Sequence, residues 1–345
     1  MRNVRIVILN WNGANHLRRF LPSVVGNTPD WAGITVADNG STDDSLALLH
    51  RDFPTVETLE LDRNYGFAGG YNRAVERIGA EYLVLLNSDV ETPAGWLEPL
   101  VRTLDENPDV AVVAPKLLSY CDKSRFEYAG AGGGMIDWLG YPFCRGRIMQ
   151  HAETDRGQYD DARDVFWASG AAFCCRREAF VAAGGFDADF FAHMEEIDLC
   201  WRMQIAGWRI RVEPQSVVYH LGGGTLPAAS PSKIFYNHRN NLMMLYKCAP
   251  AAQRWTVAVL RPLLDLAAAL SYLAGGNAAG FRAVFRAWRD FLAAHGTLAA
   301  KRRAIMQMRR DDPSRDISGR HIYRGSIILS SHFGRTVPRR ATDAR

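Results

Sequence analysis

The sequence contains no C-x-x-C pair, no internal repeat and no low-complexity tract. Its six cysteines, Cys121, Cys144, Cys174, Cys175, Cys200 and Cys248, are scattered, and two are adjacent. That spacing argues against a zinc site or a disulfide framework and for reduced packing residues. A long uncharged apolar run is also missing. The longest apolar-leaning stretch, residues 266–281, covers 16 residues and holds Asn277 and three glycines. A spanning helix needs about 20 residues, so no transmembrane segment is expected. Near the start, Arg2 and Arg5 run into a short apolar stretch that ends at Asn10, without the long apolar segment and small-residue cleavage site of a secretory signal. A cytosolic protein is expected.

Apolar residues make up 48% of the 345, enough for one large core or two modest ones, which excludes a disordered chain. The net charge of +4 is unevenly placed: residues 301–345 hold twelve Lys or Arg against four Asp or Glu, so the tail is basic and the remainder slightly acidic. A basic tail suits an anionic surface, membrane or polyphosphate, better than sequence-specific reading of nucleic acid, and no nucleic-acid partner is expected. It fits a solvated charged tail equally well.

Short β-branched runs alternate with helical stretches from the first residues. Residues 4–9, 34–37, 56–61, 82–86 and 110–114 read as buried strands, and residues 16–25, 43–50, 71–78 and 96–104 as helices. This alternation predicts a parallel, doubly wound sheet. Ser41 with Asp44, and Thr92 with Pro93, mark expected helix starts. Ligands bind at the carboxyl ends of strands in such sheets. Four polar loops lie there: Asn10 to Gly13, including Asn12; Asp38 to Ser41, including Asn39; Asn64 to Asn72, including Gly66; and Asn87, Ser88 and Asp89. The first strand leads into Asn10-Trp11-Asn12-Gly13 and not into a G-x-G-x-x-G turn, which disfavours a dinucleotide oxidoreductase.

Beyond residue 118 the pattern breaks into a glycine-rich irregular region, read as a variable loop or small insertion, and order returns at residues 166–176 and in a helix through 195–206. From Trp255 onward the chain is Ala/Leu-rich and helical. There Phe281, Val284, Phe285, Trp288 and Leu292 share one face, with Arg282, Arg286 and Arg289 away from it, a basic amphipathic pattern that suits a membrane surface or packing on the rest of the protein.

Transfer of a sugar between oxygens needs a hold on a diphosphate, a metal to neutralise it and a base for the incoming hydroxyl. Asp89 could ligate Mg²⁺ or Mn²⁺ while a diphosphate supplies further oxygens, or could serve as a turn residue. Asp38 could accept a hydrogen bond from a base or ribose, or close a turn. Glu195, Glu196 and Asp198 crowd three carboxylates at a helix start; this suits the helix dipole and should also raise one pKa toward that of a general base, with Glu196 the candidate and Glu195 or Asp198 the alternatives. His220 follows a short strand and precedes a glycine loop, where a structural role competes with metal ligation.

Together these segments resemble glycosyltransferase family 2, in particular its bacterial rhamnosyltransferase-like branch. The strings are VRIVILNWNG (4–13), ADNGSTDDS (37–45), NYGFAGGYN (64–72), LNSDV (86–90), SGAAFCCRREAF, GGFDADFFAHMEEIDLCWR, VVYHLGGGT (217–225) and NHRNNLMMLYK (237–247), in the family's order over residues 4–247. The resemblance implies a GT-A fold, with a mixed α/β sheet, over residues 1–247. Residues 1–118 form its donor half, 119–247 its acceptor half, and 248–345 a helical extension. It implies that Asp38 contacts the nucleotide base, Asp89 the metal, Glu196 acts as base, His220 completes the metal site, and Arg239 and Asn240 serve the donor diphosphate. Asn87 replaces the first acidic residue of a D-x-D motif, and Glu196 stands where many relatives carry Asp. The expected activity is inverting transfer of a sugar from a dTDP- or UDP-linked donor to a saccharide or lipid-linked saccharide, peripheral to the cytoplasmic face of a membrane. The alternatives are a nucleotidyltransferase, which would release pyrophosphate, and a non-catalytic nucleotide- or carbohydrate-binding protein.

Overall fold

The computed structural model describes residues 3–149, 151–222, 230–328 and 330. Its first half alternates strands and helices: β1 (Val4–Asn10), α1 (Ala14–Gly26), β2 (Ala32–Asp38), α2 (Ser45–Asp52), β3 (Glu57–Glu60), α3 (Gly66–Arg77), β4 (Tyr82–Asn87), β5 (Val90–Glu91), α4 (Glu98–Glu106) and β6 (Val110–Ser119). Short strands β7 (Gly134–Asp137), β8 (Pro142–Cys144), β9 (Arg147–Ile148), β10 (His151–Ala152) and β11 (Arg163–Asp164) follow. Then come β12 (Ala172–Arg176), α5 (Arg177–Ala182), α6 (Glu195–Ile205) and β13 (Arg209–His220). Four helices come next, α7 (Pro231–Cys248), α8 (Ala251–Ala274), α9 (Ala278–Ala293) and α10 (His295–Asp311), and then β14 (Ile322–Tyr323).

The main sheet runs β11-β13-β6-β12-β4-β1-β2-β3, with β5 on β13. Strands β1, β2, β3 and β4 are parallel, whereas β12 runs antiparallel to both β4 and β6, so the sheet is mixed. Alternate residues feed cores on opposite faces: Ile6, Ile8, Val84 and Leu86 face the core shared with α1, α2 and α4, and Val7, Leu83 and Leu85 the larger one shared with α3, α5 and α6. The glycine-rich region is more ordered than its composition suggests. It builds a second sheet, β10-β9-β8-β7-β14, whose last strand comes from the C-terminal segment. Leu298, Ile305, Ile322 and Ile327 join the larger core, so the C-terminal segment packs on the rest of the protein.

Three local expectations are corrected. Helix α3 begins at Gly66, five residues before the expected start, because Gly69 and Gly70 allow a close approach to the sheet: a Cβ at Gly70 would meet the Leu9 side chain at 2.8 Å. Ser41 and Thr92 do not start helices. The Ser41 hydroxyl instead accepts bonds from the Asn12 amide and the Asn10 side chain, and α4 starts only at Glu98. The apolar run at residues 266–281 is also not one element, since it straddles the turn between α8 and α9. Helix α8 itself spans 24 residues, its most apolar 18-residue stretch has a mean hydropathy of 1.6, and among the described residues it is the one helix long and apolar enough to cross a membrane.

Candidate active site

Strand β1 lies between β2 and β4, so the strand order reverses there and a crevice opens at its carboxyl end. The register places Asn10 opposite Asp38 and Leu9 opposite Asn87, which brings three of the four polar loops together. Asn10 donates to Asp38 Oδ1 at 2.9 Å, and the Ser41 amide donates to Asp38 Oδ2 at 2.9 Å. The Asn10 side-chain oxygen is buried without a partner beside Gly13, where a Cβ would sit 2.4 Å from it. Asn12, at φ 49°, accepts from the Thr42 amide at 2.7 Å. Asn39 donates to the Asn64 side chain at 3.1 Å and to the Gly66 carbonyl at 3.0 Å, and Asn64 accepts from the Gly66 amide at 2.8 Å. Ser88 lies in the turn after β4, with its hydroxyl 3.9 Å from a Cβ built at Gly13. Asn72 stands apart from this group. It bonds both the carbonyl and the amide of Phe186 at 2.8 and 2.9 Å and so fastens α3 to the loop before α6.

Asp89 and His220 meet at the far side of the crevice, Oδ1 to Nε2, at 3.2 Å, because β5 pairs with the end of β13 just after Asp89. Asn87 Nδ2 is 3.5 Å from the same imidazole nitrogen. No sequence pattern singles out Glu127, yet its carboxylate lies 3.4 Å from His220 Nδ1 and is buried with it. Glu127 sits in the aperiodic glycine-rich region, where spacing carries no information. Burial would lower the His220 pKa, but the flanking Asp89 and Glu127 carboxylates outweigh it and push it up to about 10. Burial would raise Asp89, and the His220 imidazole reverses that and holds it below the ordinary value. Among the described residues no three His, Cys, Asp or Glu side chains converge as a metal cluster.

The acidic helix start divides three ways. Asp198 is fully buried and accepts from Arg202 Nε at 2.9 Å and from Lys247 Nζ at 2.9 Å. Glu195 is buried, with one carboxylate oxygen unpartnered, and burial next to Glu196 drives its pKa well above the ordinary range. Glu196 is half-buried, also with an unpartnered oxygen, and burial raises it to about 7. Its backbone flanks Gly170, where a Cβ would lie 4.0 Å from Glu196 Cβ, and the next carbonyl, of Ala171, accepts from the Asn87 amide at 3.0 Å. Glu196 therefore stands beside the strand end that carries Asn87 and Asp89.

The segment before α6 is held under strain: Phe191, His193 and Met194 all have positive φ, between 63° and 72°. Asn240 on α7 donates to three of its carbonyls, of Phe190, Ala192 and His193, at 2.8–3.0 Å. Arg239 donates to the Asp189 and Phe190 carbonyls at 2.8 and 3.1 Å. The Phe191 carbonyl in turn accepts from the amide of Phe67 at 2.8 Å, which ties the start of α3 to the segment before α6.

Residues 5–180, half of the chain, match the family described as Glycosyl transferase family 2. The N-acetylglucosaminyl-diphospho-decaprenol L-rhamnosyltransferase of Mycobacterium tuberculosis is 28% identical over 272 residues, 74% of this chain and 87% of that protein. The pre-mycofactocin glycosyltransferase of the same organism is 30% identical over 64% of this chain and 43% of its own length. Among solved structures, GalNAc-T7 with UDP, GalNAc and Mn²⁺ superposes with a TM-score of 0.58 at 17% identity, covering 76% of this chain and 51% of that one. S. aureus TarS residues 1–349 superpose at 0.54 and 15% identity, covering 91% and 89%. With the mixed sheet and the crevice at the end of β1, these matches mean that the chain belongs to glycosyl transferase family 2 and is a glycosyltransferase of GT-A fold.

Proposed function

We propose that the protein transfers a sugar, rhamnose being the favoured one, with inversion from a pyrimidine nucleotide diphosphate onto a saccharide acceptor carried on a lipid diphosphate. The observation that carries this reading is Glu196, a half-buried carboxylate raised to about 7 with an unpartnered oxygen, beside the strand end that bears Asp89. A base poised near neutrality suits a hydroxyl that must lose its proton as it attacks. Glu196 takes that proton, the acceptor oxygen bonds to the anomeric carbon, and the bond to the diphosphate oxygen breaks on the opposite face. One displacement of this kind inverts the anomeric centre.

Asp38 is the base-recognition group in this reading. Each oxygen of its carboxylate accepts one internal bond and keeps a second lone pair for the N3–H that uracil and thymine share. Asn10, Asn12, Asn39, Asn64, Gly66, Asn87 and Ser88 form the donor-side walls. Asp89 and His220 would hold one divalent cation, Mg²⁺ or Mn²⁺, which would take the place of the proton that their ion pair shares without it. Such a cation supplies electrostatic stabilisation of the departing diphosphate. The Mn²⁺ bound in GalNAc-T7 and in the mannosyltransferase of Pyrobaculum calidifontis, which superposes at a TM-score of 0.51, supports this assignment. Asn72, Arg239 and Asn240 act as positioning residues, because their bonds go to the backbone of residues 186–193. The likeness to the mycobacterial rhamnosyltransferase supports rhamnose and a lipid-linked acceptor. A place on the cytoplasmic face of a membrane is part of the same proposal. Residues 1–247 form the catalytic unit in this reading and residues 248–345 its extension.

Thermal stability against UDP, dTDP, GDP and CDP, with and without Mn²⁺ or Mg²⁺, tests the donor half without any acceptor. A pyrimidine diphosphate at 100 times its Kd adds about 2.7 kcal/mol. The expected result is a metal-dependent shift with UDP or dTDP that Asp89→Ala abolishes. An equal shift in Asp89→Ala would remove Asp89 from the metal site.

A further inference from the structure

Helix α8 is built inside out. Its polar residues Gln253, Arg261 and Asp265 point into the protein: Gln253 donates to the Trp138 carbonyl at 2.9 Å, Arg261 to the Leu139 carbonyl at 3.1 Å, and Asp265 accepts from Trp288 Nε1 at 2.9 Å. Its large apolar residues point out. Trp255, Val259, Leu263, Leu266, Leu270 and Leu273 are exposed, Trp255 by 77% and Leu263 by 63%, and their spacing places them in a single stripe along the helix. No charged side chain interrupts that face between Trp255 and Ala274. An exposed stripe of this length is costly in water and marks a contact surface.

The surroundings identify what the stripe meets. At the amino end of α8 a groove is lined by Pro250, Ala251 and four arginines of α10, of which Arg302 is bonded to the Tyr246, Lys247 and Ala249 carbonyls and Arg309 to Asp316, while Arg303 and Arg310 are exposed. On α9 Phe285 and Leu292 are exposed beside Arg282, Arg286 and Arg289, whereas Val284 is buried, so the amphipathic face expected from the sequence is divided between packing and solvent. A leucine-rich stripe bordered by arginines complements an anionic bilayer: apolar side chains enter the acyl boundary, and guanidinium groups meet headgroup phosphates. The buried Arg261 and Asp265 tie the inward face of α8 to the protein, which leaves the helix lying in the interface and not spanning it.

We propose that the outward face of α8 is a docking surface for anionic lipid bilayers, with the arginine groove of α10 taking the headgroup phosphates. The surface is inferred from α8 and α10 alone and does not depend on the transfer reaction.

The test is flotation of the full-length protein with vesicles of phosphatidylcholine alone and with one-third phosphatidylglycerol, at low and high salt, beside its sedimentation without lipid. The wild type floats with the anionic vesicles, and salt weakens the association. The double variant Leu263→Glu/Leu270→Glu lowers flotation at least tenfold and leaves thermal stability and nucleotide binding unchanged. Arg303→Glu/Arg310→Glu lowers it on anionic vesicles only. Equal flotation of the leucine double variant would overturn the proposal. So would a lipid-free dimer that this variant converts to monomer, since a second copy would then cover the stripe.

Discussion

Three carboxylates within four residues of α6 meet three different surroundings, and their chemistry separates accordingly. Asp198 is neutralised by Arg202 and Lys247 at zero exposure, which makes it a structural ion-pair centre. Asp198→Asn leaves two buried cations short of a counter-charge and should destabilise the fold by about 3–5 kcal/mol in denaturant unfolding. Glu196→Gln should instead leave stability and nucleotide binding intact and lower turnover by about 10²–10⁴. Transfer by Glu196→Gln at the wild-type rate would remove it from the base role. The pH dependence follows with two opposite signs. Because burial raises Glu196 to about 7, and raises Glu195 as well, the folded protein keeps protons that the unfolded chain releases near 4.3. That contribution to stability is complete in acid and is lost as pH rises through about 7. Activity needs the ionised base and rises over the same interval. Melting temperature and initial rate, measured from pH 5.5 to 8.5, should therefore move in opposite directions.

At the scale of elements, the strained turn before α6 joins α3 to α7. Asn240 satisfies three of its carbonyls, and Phe191 packs where a Cβ on Gly66 would lie 2.6 Å from its ring. Gly66 also has φ 71°, so Gly66→Ala combines a clash with a left-handed backbone that costs about 1–2 kcal/mol by itself. Asn240→Ala should lower kcat with little change in the affinity for nucleotide, which steady-state kinetics and the thermal-shift series together resolve. The element boundaries show what the sequence conveyed. The strands were legible because runs such as Tyr82–Asn87 are apolar on both faces. The glycines of α3 masked a helix, because glycine lowers intrinsic helix propensity while serving close packing on Leu9. Helix α8 is hard to delimit in the sequence because the apolar stretch of residues 266–281 runs across the Gly275–Gly276 turn.

For the whole molecule, the mixed sheet brings residues from across the chain to one crevice: Asn10 and Asp38 through adjacent parallel strands, Asp89 and His220 through the pairing of β5 with β13, and Glu196 through its contact with Gly170. The candidate residues could be named in the sequence because each follows a strand or opens a helix. Their partners could not, since Glu127 for His220 and Lys247 for Asp198 lie in segments whose pairing depends on tertiary contacts. The most direct measurement is product analysis of the purified protein with a panel of nucleotide diphospho-sugars and a lipid-diphosphate-linked N-acetylglucosamine acceptor, run beside Glu196→Gln. The account predicts release of a pyrimidine nucleoside diphosphate, one new glycosidic bond of inverted anomeric configuration, and loss of both products in the variant. Release of pyrophosphate, or a product that keeps the donor's anomeric configuration, would contradict it.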